Sequence, residues 1–84
     1  MTWTVVWTDE AIAQLANSWL RLQYEREVIT DISRWLDIYL KNRPLEEGEG
    51  REPGIRFLHF KPLSVLYEVL EAECQSKVFK VWTW

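Results

Sequence analysis

The 84 residues carry 10 basic and 13 acidic side chains, a net charge of −3, 48% hydrophobic residues and six Trp. That composition excludes a disordered chain, which lacks the apolar content to build a core. It also excludes a broad nucleic-acid binder, whose affinity comes from Lys and Arg neutralising phosphates.

A chain of this length makes one domain, spanning 1–84, and needs a rich core or a partner's help to stay folded. The charge is uneven: residues 1–54 hold six basic and ten acidic side chains (−4), residues 55–84 four and three (+1). A local basic site in the second part is compatible with this balance; a large basic surface is not. The single Cys74 excludes an internal disulfide, and no Cys/His cluster has zinc spacing, so neither metal nor cofactor is expected. No basic segment leads into an apolar one at the N-terminus, and charges interrupt every apolar run before the ~18 residues a bilayer span needs. A cytoplasmic protein without membrane contact is expected.

Thr2–Thr8 is β-branched and aromatic, with Trp3, Val5 and Trp7 alternating onto one face, and reads as a strand. Thr8 or Asp9 caps a helix with the stripe Ile12, Leu15, Ala16, Trp19 and Leu22. After the polar break Gln23–Glu27, a second helix carries Val28, Ile32, Trp35, Leu36 and Tyr39, and Asn42-Arg43-Pro44 ends it. Residues 45–54 are turn-rich and read as a connector. Strands follow at Ile55–Lys61, Ser64–Glu71 and Lys77–Trp84, giving β-α-α-β-β-β. The two helices are expected to pack on one face of the sheet, with Trp19 and Trp35 at least partly buried between them.

Alternation assigns the faces. Phe57, Val65, Tyr67, Val69, Phe79 and Val81 form an apolar set that two amphipathic helices can cover. The other face then holds Arg56, Leu58, Phe60, Ser64, Leu66, Glu68, Lys80, Trp82 and Trp84. Five of these nine are large and apolar, whereas a solvated sheet face alternates to polar residues. Contiguous exposed apolar area on a small protein marks a partner site. Leu58, Phe60, Leu66, Trp82 and Trp84, with the charges of Arg56 and Lys80, are therefore the candidate partner-binding residues. The alternative is that strand ends fold under and the tryptophans pack on the helix edges. In the absence of another partner, this face could close a homodimer.

Four runs carry a resemblance to a known family: T-V-V-W-T-D-E-A at the first strand and helix start, G-E-G-R-E-P-G-I-R, P-L-S-V-L-Y-E-V, and the final K-V-F-K-V-W. Together with the element order they resemble the RelE/ParE toxin superfamily, over essentially the whole chain. The resemblance implies an α+β fold, a helical hairpin on one face of a mostly antiparallel four-stranded sheet. It implies a type II toxin–antitoxin system of the plasmid-stabilisation kind, in which a small antitoxin wraps the toxin. Activities in the family divide between message cleavage on the ribosome, inhibition of DNA gyrase, and none known. The ribonucleolytic members use basic residues on the sheet, with an Arg and often a Tyr or His after the last strand. Arg56 occupies one such position. Ser64 stands where an Arg is common, and Trp84 precedes where the later groups would fall. The resemblance thus implies a toxin acting by protein contact, with gyrase as a target. The alternatives are a ribosome-dependent endoribonuclease using Arg56, His59 and Lys61, or a degenerate member without toxic activity.

Other motifs have plainer readings. Gly48, Gly50 and Gly54 have the wrong spacing for a phosphate loop and lie among Glu46, Glu47, Glu49 and Glu52, which repel phosphate. His59, the only histidine, is a general acid–base candidate, but alternation sets it opposite Arg56 and favours a structural role. Arg56 and Lys80 could hold a phosphate or an antitoxin carboxylate, or pair with Glu68 between them. Cys74 lacks the positive surroundings that activate a thiolate. The aromatic set lacks the positive groove of single-strand RNA binders, so protein recognition is the better use of Trp82 and Trp84.

Overall fold

The β-branched run Thr4–Trp7 forms β1 and hands directly to α1, Asp9–Arg21, whose first turn Thr8 caps by accepting a hydrogen bond from the Ala11 amide at 3.1 Å. The computed structural model describes residues 2–46 and 49–83, the Arg51 side chain aside; the expectations for Trp84, Glu47 and Gly48 lie outside the described residues. A single 3₁₀ turn, Gln23–Glu25, leads into α2, Arg26–Asn42. Four strands follow: β2 Glu49–Glu52, β3 Ile55–Phe60, β4 Leu63–Leu70 and β5 Gln75–Thr83. They form one sheet with β1 in the order β1-β5-β4-β3-β2, antiparallel except where β1 runs parallel to β5.

The expected helical hairpin and mostly antiparallel sheet are present, with one more strand than the sequence reading gave. β2 comes from the stretch read as a connector. Its Glu-Gly-Arg-Glu sequence has no apolar alternation because an edge strand can pair through its main chain alone. The turn into β3 is Pro53-Gly54, with Gly54 at φ +83°. A Cβ at Gly54 would meet only ordinary contact, 3.6 Å from the Val69 carbonyl, so the backbone angle sets the cost of substitution. Gly54→Ala is expected to lower stability by about 1 kcal/mol in urea melts; an unchanged midpoint would show that this turn tolerates other geometry.

α2 packs on the sheet through Ile29, Ile32, Leu36 and Leu40, all buried. Its last carbonyls, which no helical amide can reach, are taken up by the sheet. The Leu40 carbonyl accepts from Ser76 Oγ at 2.9 Å and Lys41 from the Trp3 amide at 2.7 Å; just past the helix, the Pro44 carbonyl accepts from the Tyr67 hydroxyl at 2.7 Å. Tyr67→Phe keeps the ring volume but strips a donor from the buried Pro44 carbonyl. A loss of about 1–2 kcal/mol is expected from thermal or urea unfolding; no loss would mean the carbonyl finds another donor.

The helix stripes differ from the expected ones. α1 turns Ala11 and Ser18 fully inward, with Leu15 and Leu22 packed at the margin, because it lies close against β5 and small residues permit that approach. It also covers the edge of β5 beyond the end of β1. There Gln14 Oε1 accepts from the Val81 amide at 2.7 Å and Arg21 donates to the Thr83 hydroxyl. Of the side chains read as the inner stripe, Ile12, Ala16 and Trp19 therefore lie toward the outside, while Leu15 and Leu22 keep contact with the core. Trp19, 38% exposed, lines the hollow between the helices and is partly buried there as expected, whereas Trp35 is 53% exposed and packs on Phe60 of the sheet instead. Trp35 packs edge-on to Tyr39 and Phe60, and the Arg26 guanidinium lies 4.3 Å from the Trp19 ring centre.

The faces of β3 are also reversed from the sequence reading. A two-residue turn, Lys61-Pro62 with a cis peptide bond, joins β3 to β4, and Phe60 pairs with Leu63. That turn length puts even positions of β3 beside odd positions of β4, so Leu58 faces Val65 and Phe57 faces Leu66. Arg56, Leu58 and Phe60 thus belong to the helix side and Phe57 to the open side. Leu58 joins the core with Val65, Tyr67, Val69, Val78 and Val81, and Phe60 stacks on Tyr39 of α2. A second departure lies in β5, where Leu66 pairs with Lys80 but Tyr67 with Val78. Phe79 is the extra residue of this bulge, and it lines the open face instead of the core.

Candidate partner-binding site on the open sheet face

The helices cover one side of the sheet; the centre of the other is built by β3, β4 and β5. Register puts Phe57, Leu66 and Lys80 in one row across these strands and His59, Ser64 and Trp82 in the next. Phe57 lies between the other two rings, its centre 5.3 Å from His59, nearly parallel, and 5.7 Å from Trp82, tilted by 39°. The Lys80 ammonium approaches the Trp82 ring to 5.6 Å. A shallow hollow of about 450 Å³ opens here, lined mainly by Ile55, Phe57, Leu66, Phe79, Lys80 and Trp82, with Glu52 at its edge. The surface is apolar and aromatic at its centre with isolated charges around it. Protein interfaces commonly have that layout.

Of the residues singled out from the sequence, Leu66, Lys80 and Trp82 lie together on this face. Arg56 does not join Lys80: it pairs with Tyr67 on the helix side, and Glu68, expected between the two, stands opposite Ile55 and Lys77. The three residues of the nuclease alternative are not brought together either. His59 is on the open face, Arg56 on the other, and Lys61 in the turn. His59 Nδ1 is 2.6 Å from Ser64 Oγ, but Ser64 is only 1% exposed, so this pair anchors the imidazole and offers no accessible nucleophile. Among the described residues no group of three or more His, Cys, Asp or Glu is arranged to hold a metal ion.

Phe57, Phe79 and Ile55 were missed as members of this face. The short turn at Pro62 was the signal for Phe57, since it fixes the parity of β3 against β4. The β5 bulge that turns out Phe79 has no mark in the local sequence. A second apolar hollow, also about 450 Å³, lies between the helices and is lined by Ile12, Leu15, Trp19, Leu20 and Ile29.

No protein-family model matches the sequence, and no curated protein matches it significantly. Solved structures do match the fold. A chain of the chromosomal ParDE toxin–antitoxin system of P. aeruginosa superposes with a TM-score of 0.78 at 16% identity, over 98% of this chain and 96% of that one. A chain of the RelBE2 toxin–antitoxin complex of Mycobacterium tuberculosis gives 0.76 at 17% identity, over 100% of both. The isolated E. coli RelE toxin gives 0.68 at 14% identity, over 96% of this chain and 83% of that one.

The chain has the RelE/ParE toxin fold.

End-to-end coverage at such low identity means that the RelE/ParE fold is kept here by apolar pattern and topology, with few shared side chains. Among the described residues of this RelE/ParE-like chain, no helix is long and apolar enough to cross a membrane.

Proposed function

We propose that this chain is the toxin component of a type II toxin–antitoxin pair, acting in the cytoplasm by protein–protein contact and neutralised by a cognate antitoxin laid over the open sheet face. The observation that carries the reading is the chemistry of that face. Phe57, Leu66, Phe79 and Trp82 line a continuous hollow with Lys80 against the Trp82 ring, on a fold shared end to end with chains of toxin–antitoxin assemblies. Phe57, Leu66 and Trp82 are the contact anchors, because large aromatic and aliphatic groups at the centre of a patch contribute most to binding. Lys80 supplies the positive charge that selects an acidic group on the partner. A non-hydrolytic target such as DNA gyrase suits the same contact chemistry.

The second reading, a ribosome-dependent message endoribonuclease, draws support from one observation: His59 is exposed on the open face beside an aromatic ring on which a base could stack. Against it stand the helix-side position of Arg56 and the serine at 64. The test of the toxin reading is co-expression with the small protein encoded beside this gene. The two should co-purify as a stable complex, and growth arrest by the chain alone should be relieved. A chain that stays free of that partner would overturn the reading.

A further inference from the structure

A second surface, independent of the antitoxin reading, is carried by α2. Val28, Asp31, Trp35 and Ile38 recur at steps of three and four and form one outward stripe. Val28 is 46% and Ile38 57% exposed, and Trp35 is exposed by a similar amount. The charges along this stripe sort by sign. Glu27 and Asp31 lie in the first half of the helix, Arg34 and Lys41 in the second, and among the described residues none of the four side chains makes a hydrogen bond or ion pair. The two charges that break the pattern are engaged elsewhere. Asp37 accepts from Trp7 Nε1 at 2.9 Å, and Arg26 donates to the Trp19 and Leu20 carbonyls at the end of α1. The helix dipole accounts for charges in the first and last turns only, and Asp31 and Arg34 are mid-helix.

We propose that this stripe is the contact of an antiparallel, two-fold symmetric dimer with a second copy of this chain. A two-fold axis perpendicular to α2 between Asp31 and Arg34 brings Asp31 of each copy opposite Arg34 of the other. It sets Val28 against Ile38 twice and places Glu27 within one turn of Lys41, with both Trp35 rings flanking the axis. Such a contact is self-complementary in shape and charge, as an isologous interface must be. A parallel arrangement in register would oppose like charges throughout. The contact leaves the open sheet face uncovered.

The test is sedimentation velocity over a wide concentration series, with far-UV circular dichroism to confirm the fold of each variant. The parent should associate. Asp31→Arg and Arg34→Asp, each placing two like-charged pairs across the axis, should weaken association roughly tenfold or more. Mixing these two variants should restore it, because every pair is then opposite in sign. Leu66→Glu on the sheet face should leave it unchanged. A monomeric parent, a mixture no better than the single variants, or loss of association in Leu66→Glu would each overturn the proposal.

Discussion

Leu66→Glu is expected to weaken antitoxin binding by roughly 100-fold or more, a loss of about 2.8 kcal/mol, with the melting curve of the free chain nearly unchanged. Leu66 is half-buried at the centre of the open-face hollow, between the Phe57 and Lys80 positions of the neighbouring strands. In the free chain the carboxylate reaches water and faces Lys80, so folding loses little. In the complex it would be buried under the partner, and desolvating an unmatched charge there is costly. Titration calorimetry with the purified antitoxin reads the effect, and Trp82→Glu should match it. Ile38→Glu, on the opposite side of the molecule, is the control and should leave antitoxin affinity within twofold or so of the parent. Full affinity in both sheet-face variants would place the interface elsewhere, and Leu20→Glu in the hollow between the helices would then be the variant that loses binding.

The largest effect on folding is expected from Leu36→Ala. Leu36 is fully buried where α2 meets the sheet, and removing its side chain forfeits transfer energy and leaves a cavity, a cost of about 3–4 kcal/mol. A domain of this size is stable by roughly 4–13 kcal/mol, so much of the folded population is at risk at growth temperature. Ile38→Ala, two residues along the same helix, should change stability by about 0.5 kcal/mol or less at concentrations where the chain is monomeric, because that side chain is then largely in water. Urea melts of the two variants should therefore differ by several kcal/mol; equal shifts would mean that α2 is rotated from the orientation described here.

That contrast shows what the sequence could and could not reveal. Element order, both helices and four of the five strands follow from periodicity and turn residues. The orientation of each helix does not, because α1 and α2 are apolar on more than one side. Ile29 and Leu36 point inward while Val28 and Trp35, one residue earlier, point out. Hydrophobicity alone cannot choose between such stripes. The choice rests on which one fits the sheet closely, and slim side chains such as Ala11 and Ser18 fit where Trp19 does not. Strand faces were legible in β4, where Val65, Tyr67 and Val69 alternate cleanly, and misread in β3. There the two-residue turn at Lys61-Pro62 exchanges the parity of the faces, moving Leu58 and Phe60 into the core and Phe57 out of it. The open face was therefore read with about half of the residues that line its hollow. Leu66, Lys80 and Trp82 were in place, and Phe57 and Phe79 were hidden by the turn and the bulge.

Primer extension on cellular messages, after expression of the chain without an antitoxin, separates contact from cleavage most directly. In-line cleavage of RNA needs a base for the 2′-hydroxyl, an acid for the leaving oxygen, and positive charge fixed around the phosphate, commonly the largest single contribution to lowering the barrier. On the open face His59 is held by Ser64, Lys80 is engaged with Trp82, and Arg56 lies on the helix side of the sheet. Messages from cells expressing the parent, His59→Ala and Arg56→Ala are therefore expected to give the same uncut pattern, whether or not growth stops. Codon-positioned cuts that appear with the parent and vanish in either variant would contradict the contact mechanism and establish the chain as a ribonuclease.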